Sequence, residues 1–320
     1  MTKSSPSEGI FVGVDVGGTK VAAGLVNADG EILSHQRVSM VSDGSTERGL
    51  QAVLSAIAQV LPECASSIAG IGICAPGPLD PKTGVILNPP NVPCWRNFPL
   101  AEEVRKKYSV PVKVDNDANA AALAEARWGA AKGYQNVFYA TIGTGIGTGI
   151  VFDGKIYHGR TGSAGEGGHV SIDYRGPICR CGKPGCIEIL ASGTAIVRRA
   201  RERLSSGTKS SLLEIAGYRA EAITGEMVGT AFAAGDQLAT ELLTETVEML
   251  ALWLSNMIDL LDPDVIVIGG GAAALYFPFF DRLRERIPQL TVNPRAAEVP
   301  IVSARYGADS GIAGGAALCA

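Results

Sequence analysis

IFVGVDVGGTKVAAGLVNADGEILSHQRVSM, residues 10–40, decides the reading of this chain. Ile10–Val16 alternates and is rich in β-branched residues, Gly17-Gly18 turns, and Val21–Val26 returns. Asn27–Gly30 makes a second turn before Glu31–Met40. Such a pattern predicts a strand–glycine turn–strand–Asp-Gly turn–strand meander. The same grammar recurs at Val137–Ile142, the Gly143–Gly147 turn, Thr148–Phe152, Asp153-Gly154 and Lys155–His158. Both copies carry the two turns in the same order, so an internal duplication of a βββ-led α/β domain is expected.

Between the meanders the periodicity predicts helices over Glu47–Leu61, Leu100–Tyr108 and Asp117–Trp128, with strands over Ile68–Cys74 and Val110–Val114. After them come a cysteine-bearing loop, Asp173–Cys186, a helix from Ile187 to Leu204, and mostly helix to Leu261. Strands at Val265–Ile268 and Val299–Val302 and helices at Phe280–Ile287 and Asp309–Leu318 complete the pattern. A hinge is expected around Val114–Ala118.

A length of 320 residues fits two domains at roughly 150 residues each. Hydrophobic residues at 46% and charged residues at 19% place the chain among folded proteins. The balance of 28 basic against 32 acidic residues, a net charge of −4, gives no basic patch for nucleic acid or an anionic membrane. Met1–Gly9 lacks the basic start and apolar core of a signal peptide, and the longest uncharged runs, Val137–Phe152 and Val265–Phe280, are too short and glycine-broken for a membrane span. A cytoplasmic protein is expected. Glycine is in excess, 40 of 320 against a usual share of about 7%, so backbone turns and close approaches carry much of the information.

Asp15-Val16-Gly17-Gly18-Thr19-Lys20 sets a carboxylate at a strand end before a glycine turn, an arrangement that can cradle phosphate oxygens and hold Mg²⁺ through water. From this segment alone a plain hairpin turn is the better reading. There is no Walker A sequence, and Gly70-Ile71-Gly72-Ile73-Cys74-Ala75 runs into Pro76 where a dinucleotide fingerprint would open a helix. Gly143-Thr144-Gly145-Ile146-Gly147 is a second glycine turn, and Gly269-Gly270-Gly271 follows a strand closely enough to admit a nucleoside. Asn116-Asp117-Ala118-Asn119 opens a helix. There Asp117 reads either as an N-cap or as a carboxylate base kept ionised by the helix dipole. His169, Cys179, Cys181 and Cys186 form a four-ligand set for a closed, structural Zn²⁺ in a reducing compartment. Three histidines and no G-x-S-x-G elbow give a Ser-His-Asp hydrolase little support.

DVGGTK (15–20), GICAPGPLD (72–80), NPPN…W (88–95), VDNDANAAALAE (114–125), GTGIG (143–147), GEGGH (165–169), CRCGKPGCIE (179–188), ASG (191–193) and VIGGG (267–271) together resemble the ROK family of repressors, open reading frames and sugar kinases. The resemblance runs the length of the chain. It implies a two-domain α/β, actin-like ATPase (ribonuclease H-like) fold with a ligand cleft, divided into 1–117 plus 308–320 and 118–307. It also implies ATP-dependent phosphorylation of a hexose 6-hydroxyl, with Asp117 as general base and closure of the two halves on sugar binding. Gly77, Asn91, Asn116, Asp117, Glu166, His169 and Glu188 would meet the sugar. Asp15, Gly17, Gly18, Thr19, Lys20, Thr144 and Gly145 would face Mg²⁺·ATP phosphates, and Gly269, Gly270 and Gly271 the nucleoside. His169 would serve zinc through one ring nitrogen and sugar through the other. The segment around Trp95 resembles the family's glucokinases, so glucose is the expected substrate and a homodimer or homotetramer the expected assembly. N-acetylmannosamine is the alternative, with fructose or allose behind it. A sugar-sensing regulator is disfavoured, because nine residues before the first strand leave no room for a helix-turn-helix domain and the net charge is negative.

Overall fold

The structure, a computed structural model, describes residues 9–41, 43–61 and 68–320. Residues 1–8, which bear on the signal-peptide reading, lie outside it. The chain runs through β1 (Ile10–Val16), β2 (Lys20–Val26), β3 (Ile32–Ser39), α1 (Thr46–Val60), β4 (Ile68–Ala75), β5 (Leu79–Asp80), β6 (Val85–Ile86), α2 (Leu100–Tyr108), β7 (Val112–Asn116) and α3 (Asp117–Arg127). It continues with β8 (Val137–Ile142), β9 (Ile146–Phe152), β10 (Lys155–Ile156), α4 (Ile187–Ala191), α5 (Gly193–Ser205), α6 (Leu212–Ile215), α7 (Gly225–Ala233) and α8 (Gln237–Leu261). Then come β11 (Val265–Gly269), α9 (Phe280–Arg286), β12 (Ile301–Ser303) and α10 (Ser310–Cys319).

The first sheet has the order β3-β2-β1-β4-β7, an antiparallel meander followed by two strands parallel to β1. The second has the order β10-β9-β8-β11-β12. Position for position the two orders are the same, as the repeated meander predicts.

Contacts gather the chain into two compact units. One comprises residues up to 137 with 149–165 and 304–320; the other comprises 138–148 and 166–303. The sequence expectation drew its boundaries at 117/118 and 307/308. Helix α3 instead stays with the first unit because it packs on α10, so closely that a Cβ on Gly314 would lie 2.8 Å from the carbonyl carbon of Ala120.

The first unit shows why β1 is apolar on both faces. Val12, Val14 and Val16 point into one core with Val53 and Ile57 of α1 and Leu100 and Val104 of α2. Phe11, on the opposite face, joins Ala120 and Ala124 of α3 and Ile312 and Ala316 of α10. Alternation with both faces covered is the geometry of a sandwiched strand. In the second unit α8 is the central helix, capped by Asp236, with Trp253 wholly buried edge-on against Phe138.

Several elements depart from expectation, among them β7, expected over Val110–Val114 and found over Val112–Asn116, and β9, which starts at Ile146 and not at Thr148. The helix expected over Ile187–Leu204 is broken at Ser192, whose hydroxyl accepts from Ala195 N–H and starts α5. The strand expected at Val299–Val302 begins at Ile301, the Pro300 carbonyl accepting from Ile266 N–H just before it. Among the described residues no helix is long and apolar enough to cross a membrane.

Candidate functional site

In the first unit, the carboxyl ends of β1, β4 and β7 gather the acidic residues. Asp15, Cys74 and Asp115 are in register across the three strands. Past Asp15 the turn closes with Gly17 N–H donating to the Lys20 carbonyl at 2.9 Å. A Cβ on Gly18 would lie 2.7 Å from the Asn91 carbonyl oxygen, so glycine is required there by the backbone of the 88–95 segment. The turn carrying Gly17, Gly18, Thr19 and Lys20 is thereby brought beside Asn91. Burial, then the neighbouring Asp117 carboxylate, push Asp15 up to about 6 against the pull of Lys20 and Arg37. Burial and the Asp15, Asp117 and Asp115 carboxylates likewise push the Cys74 thiol up.

Asn116 and Asp117 form the corner between β7 and α3. Asn116, not Asp117, is the N-cap: its backbone is extended and its side-chain oxygen accepts from Ala118 N–H at 2.9 Å and Asn119 N–H at 3.4 Å. Only a residue with non-helical backbone can swing its side chain back onto those donors, so the capping alternative for Asp117 is overturned by phase. Asp117 occupies the first helical position, accepting from Ala118 N–H at 2.8 Å. A Cβ on Gly77 would come within 3.8 Å of the Asn116 amide nitrogen, so Gly77 adjoins this corner.

In the second unit, the ligand atoms of His169, Cys179, Cys181 and Cys186 all lie within 4.8 Å of one another. Cys181 and Cys186 sulfurs are 3.5 Å apart, and Cys179 Sγ is 3.7 Å from His169 Nδ1. A tetrahedron with metal–sulfur bonds of about 2.3 Å has edges of about 3.8 Å, so the set has the size of a zinc site. Burial, then the neighbouring thiols Cys181 and Cys179, push Cys186 up to about 12. A cation is what would let these thiols ionise together. Since Nδ1 faces the cysteines, Nε2 is the nitrogen left for another partner.

Glu166 precedes the short helical turn Gly167–His169. That turn is fixed by Gly167 N–H donating to Thr148 Oγ1 at 2.8 Å and by Trp253 Nε1 donating to the Gly167 carbonyl at 3.1 Å. Glu188 accepts from Ile146 N–H at 3.0 Å. A Cβ on Gly145 would lie 2.5 Å from the same carboxylate oxygen, so Gly145 is the opening through which Glu188 reaches the turn.

A cavity of about 790 Å³ opens in the same unit, with Gly143, Thr144, Gly193, Thr194, Gly271 and Ala272 on its lining and Arg198, Arg201, Glu202 and Glu226 around it. Of the residues expected to face a nucleotide, it brings together Thr144 and Gly271. Gly145 is turned to Glu188, and Gly270 is glycine for another reason: φ is +94° and a Cβ would lie 2.5 Å from the Ile142 carbonyl oxygen. Gly269 ends β11 and is buried. The sequence reading missed Gly193 and Thr194 because it ran one helix through them. Ser192 inside Ala191-Ser192-Gly193 was the available signal. The break lets the first turn of α5 line the cavity, with Gly193 N–H donating to the Gly143 carbonyl at 2.8 Å.

The ROK family model matches residues 11–320. The glucokinase of Thermotoga maritima is 34% identical over 310 residues, covering 96% of each chain. The xylose repressor of Caldicellulosiruptor bescii is 30% identical over 284 residues, 88% of this chain and 70% of the repressor. The crystal structure of a ROK family glucokinase from Streptomyces griseus, in complex with glucose and AMPPNP, superposes with a TM-score of 0.81 at 33% identity, covering 97% of this chain and 99% of that one. The fold is the actin-like ATPase fold, with its duplicated sheet, and the motifs found along the sequence lie inside the matched span. This chain belongs to the ROK family.

Proposed function

We propose that the protein transfers the γ-phosphoryl group of ATP to the 6-hydroxyl of glucose, giving glucose 6-phosphate and ADP. The observation that carries the reading is the β7–α3 corner: Asn116 caps α3, and Asp117 stands in its first turn, close enough to Asp15 to raise that carboxyl. In this reading the sugar oxygen bonds to γ-phosphorus, the bond from that phosphorus to the β–γ bridging oxygen breaks, and the hydroxyl proton passes to Asp117. A weak base suffices, because phosphoryl transfer has a loose transition state in which the proton leaves late. The glucokinase relatives support glucose as the acceptor.

Gly77, Asn91, Asn116, Glu166, His169 and Glu188 are assigned to the sugar hydroxyls. Asp15 is assigned to water-held Mg²⁺, which supplies charge neutralisation at the phosphates. A divalent cation would suit a carboxylate raised by burial and by Asp117. Gly17, Gly18, Thr19, Lys20, Thr144 and Gly145 are assigned to phosphates, and Gly269, Gly270 and Gly271 to the nucleoside side. The cavity beside Gly271, lined by the small residues Gly143, Thr144, Gly193 and Thr194 with Arg198 and Arg201 around it, supports nucleotide binding in the second unit. Zn²⁺ at His169, Cys179, Cys181 and Cys186 would be structural, fixing the His169 ring so that Nε2 can read a hydroxyl. A cytoplasmic homodimer or homotetramer completes the reading.

A coupled ADP-release assay over glucose, N-acetylmannosamine, fructose and allose tests the substrate. Asp117→Asn should keep sugar binding and lose turnover by about 10²-fold or more, the scale of a lost general base. Retained turnover in Asp117→Asn removes Asp117 as the base, and sugar binding without turnover in the unsubstituted protein would favour a sensing role.

A further inference from the structure

Behind the Asn116–Asp117 corner lies a pair that the reading above leaves unused. His158 Nε2 is 2.6 Å from Asp115 Oδ2, with the Asp115 side chain only 5% exposed and His158 31%. The other Asp115 oxygen accepts from Asn116 N–H at 2.7 Å and from the Asn119 amide at 3.2 Å. One buried carboxylate therefore holds the backbone of the capping residue on one side and the first turn of α3 on the other. His158 sits in the loop after β10, and that loop is itself anchored. The His158 carbonyl accepts from Ala164 N–H at 3.1 Å, and Gly162 lies against Pro81.

The chemistry of the corner gives the imidazole a reason to be there. A carboxylate this buried is costly unless it is paired and hydrogen-bonded. Asp15 and Asp117 bring further negative charge to the same strand ends. The hydrogen bond from Asp115 raises the His158 pKa above the usual histidine value, against partial burial; the Asp115 charge adds to the rise and Lys82 opposes it.

We propose that His158 is a positioning residue: by holding Asp115 it fixes the Asn116–Asp117 corner at the start of α3, and it holds most firmly when its imidazole is protonated. This rests on the assignment of Asp117 as the base. For a histidine raised by its partner, the ion pair is complete below the ordinary value of about 6.5 and weakens as pH rises through the raised one, leaving a neutral hydrogen bond.

Two measurements test it. The chain has three histidines, so imidazole resonances can be followed by NMR without substrate. His158 should titrate above about 6.5 and fall by about one pH unit in Asp115→Asn. A wild-type value at or below 6.5, or no change in Asp115→Asn, overturns the pairing. In turnover, His158→Ala should lower kcat by about 10-fold, with KM for ATP within about twofold, as expected for a displaced catalytic group. His158→Gln should approach wild type at pH 8.5 yet fall about fivefold short at pH 6.5, where only imidazolium adds charge. Kinetics within twofold of wild type in both variants at both pH values overturn the positioning role. Should His158→Ala fail to fold, His158→Gln and the NMR titration decide it. An unsubstituted protein inactive on every hexose would instead refute the kinase reading, with NMR still deciding the pair.

Discussion

Gly72→Ala should unseat a helix from a sheet. A Cβ at Gly72 would lie 1.7 Å from the Gly315 carbonyl oxygen and 2.6 Å from its carbon, in the middle of α10. Gly13, in register on the neighbouring strand β1, would put a Cβ 1.8 Å from the Ile312 carbonyl oxygen. Backbone thus rests on backbone at two adjacent points. A carbon against a carbonyl oxygen needs about 3.3 Å, so α10 must retreat by roughly 1.5 Å. The obstacle is main chain, with no rotamer to swing away, so the cost belongs at the upper end of overpacking, about 3 kcal/mol. The retreat would separate Ile312, Ala313, Ala316 and Ala317 from Ala120, Ala124 and Trp128. It would also pull Gly311 away from Asp15, whose carboxyl carbon lies where a Gly311 Cβ would stand at 2.4 Å. Urea unfolding read by tryptophan fluorescence, with hydrogen exchange at α10 amides, measures this directly. Exchange there should accelerate by about 100-fold, the equivalent of roughly 3 kcal/mol. Gly271→Ala, with nothing within 4 Å of its Cβ, serves as the control and should unfold like wild type. A Gly72→Ala protein with wild-type stability and unchanged exchange in α10 would refute the backbone-on-backbone packing.

Asp236 caps α8 by accepting from Ala239 N–H at 2.9 Å and joins it to the 210–212 segment by accepting from Ser211 N–H at 2.8 Å. Asp236→Ala should cost about 2 kcal/mol at neutral pH by chemical denaturation, and Asp236→Asn less. Burial alone would raise the Asp236 pKa, but the bonds from Ala239, Ser211 and Ser210 outweigh it and leave it below 3.8. Its stabilisation is therefore complete above that value and lost as pH falls through the lower folded one; a wild-type-to-Ala gap that did not narrow in melts below about pH 4 would contradict this. Protein purified without added zinc should carry about one Zn²⁺ per chain by metal analysis, and Cys186→Ser should lose it and melt at lower temperature. Full activity and an unchanged Tm in metal-free protein would remove the zinc assignment.

Where neighbours in sequence supplied the forces, the elements could be read directly. The meander of β1–β3 follows from period-2 alternation and its turns, and α2 was read at Leu100–Tyr108 to the residue. The four ligands at 169–186 lie close enough in sequence to advertise a cluster. Long-range forces decided the rest. Helical periodicity continues through Ser192, but the break there is stabilised by Gly193 meeting Gly143. Asn116 and Asp117 are both good capping types, and only the phase of the β7–α3 corner assigns the cap. Likewise α3 joins the first unit because of α10, far along the chain. His158 lies 43 residues from the carboxylate it meets and carried no local signal.

The duplicated sheet explains where the candidate residues stand and why the two units differ in chemistry. In open α/β sheets ligands bind beyond the carboxyl ends of the strands, where connections diverge. The first unit presents Asp15 near the end of β1, Gly77 after β4 and Asn116–Asp117 where β7 meets α3; the second presents Gly143–Thr144 after β8 and Gly271 after β11. Asp15-Val16-Gly17 in one meander corresponds to Thr141-Ile142-Gly143 in the other, so the carboxylate is replaced by a hydroxyl while the turn glycine is kept. Burial and the neighbouring Asp117 carboxylate raise the proton affinity of Asp15, which can take up a proton or a hydrated cation. The other set presents no carboxylate at the matching position, and its turn glycines open onto the cavity lined by Gly143, Thr144 and Gly271. Duplication supplied two like frameworks, and the proposed division of roles between them rests on a few substitutions at their carboxyl ends, Asp15 against Thr141 first among them.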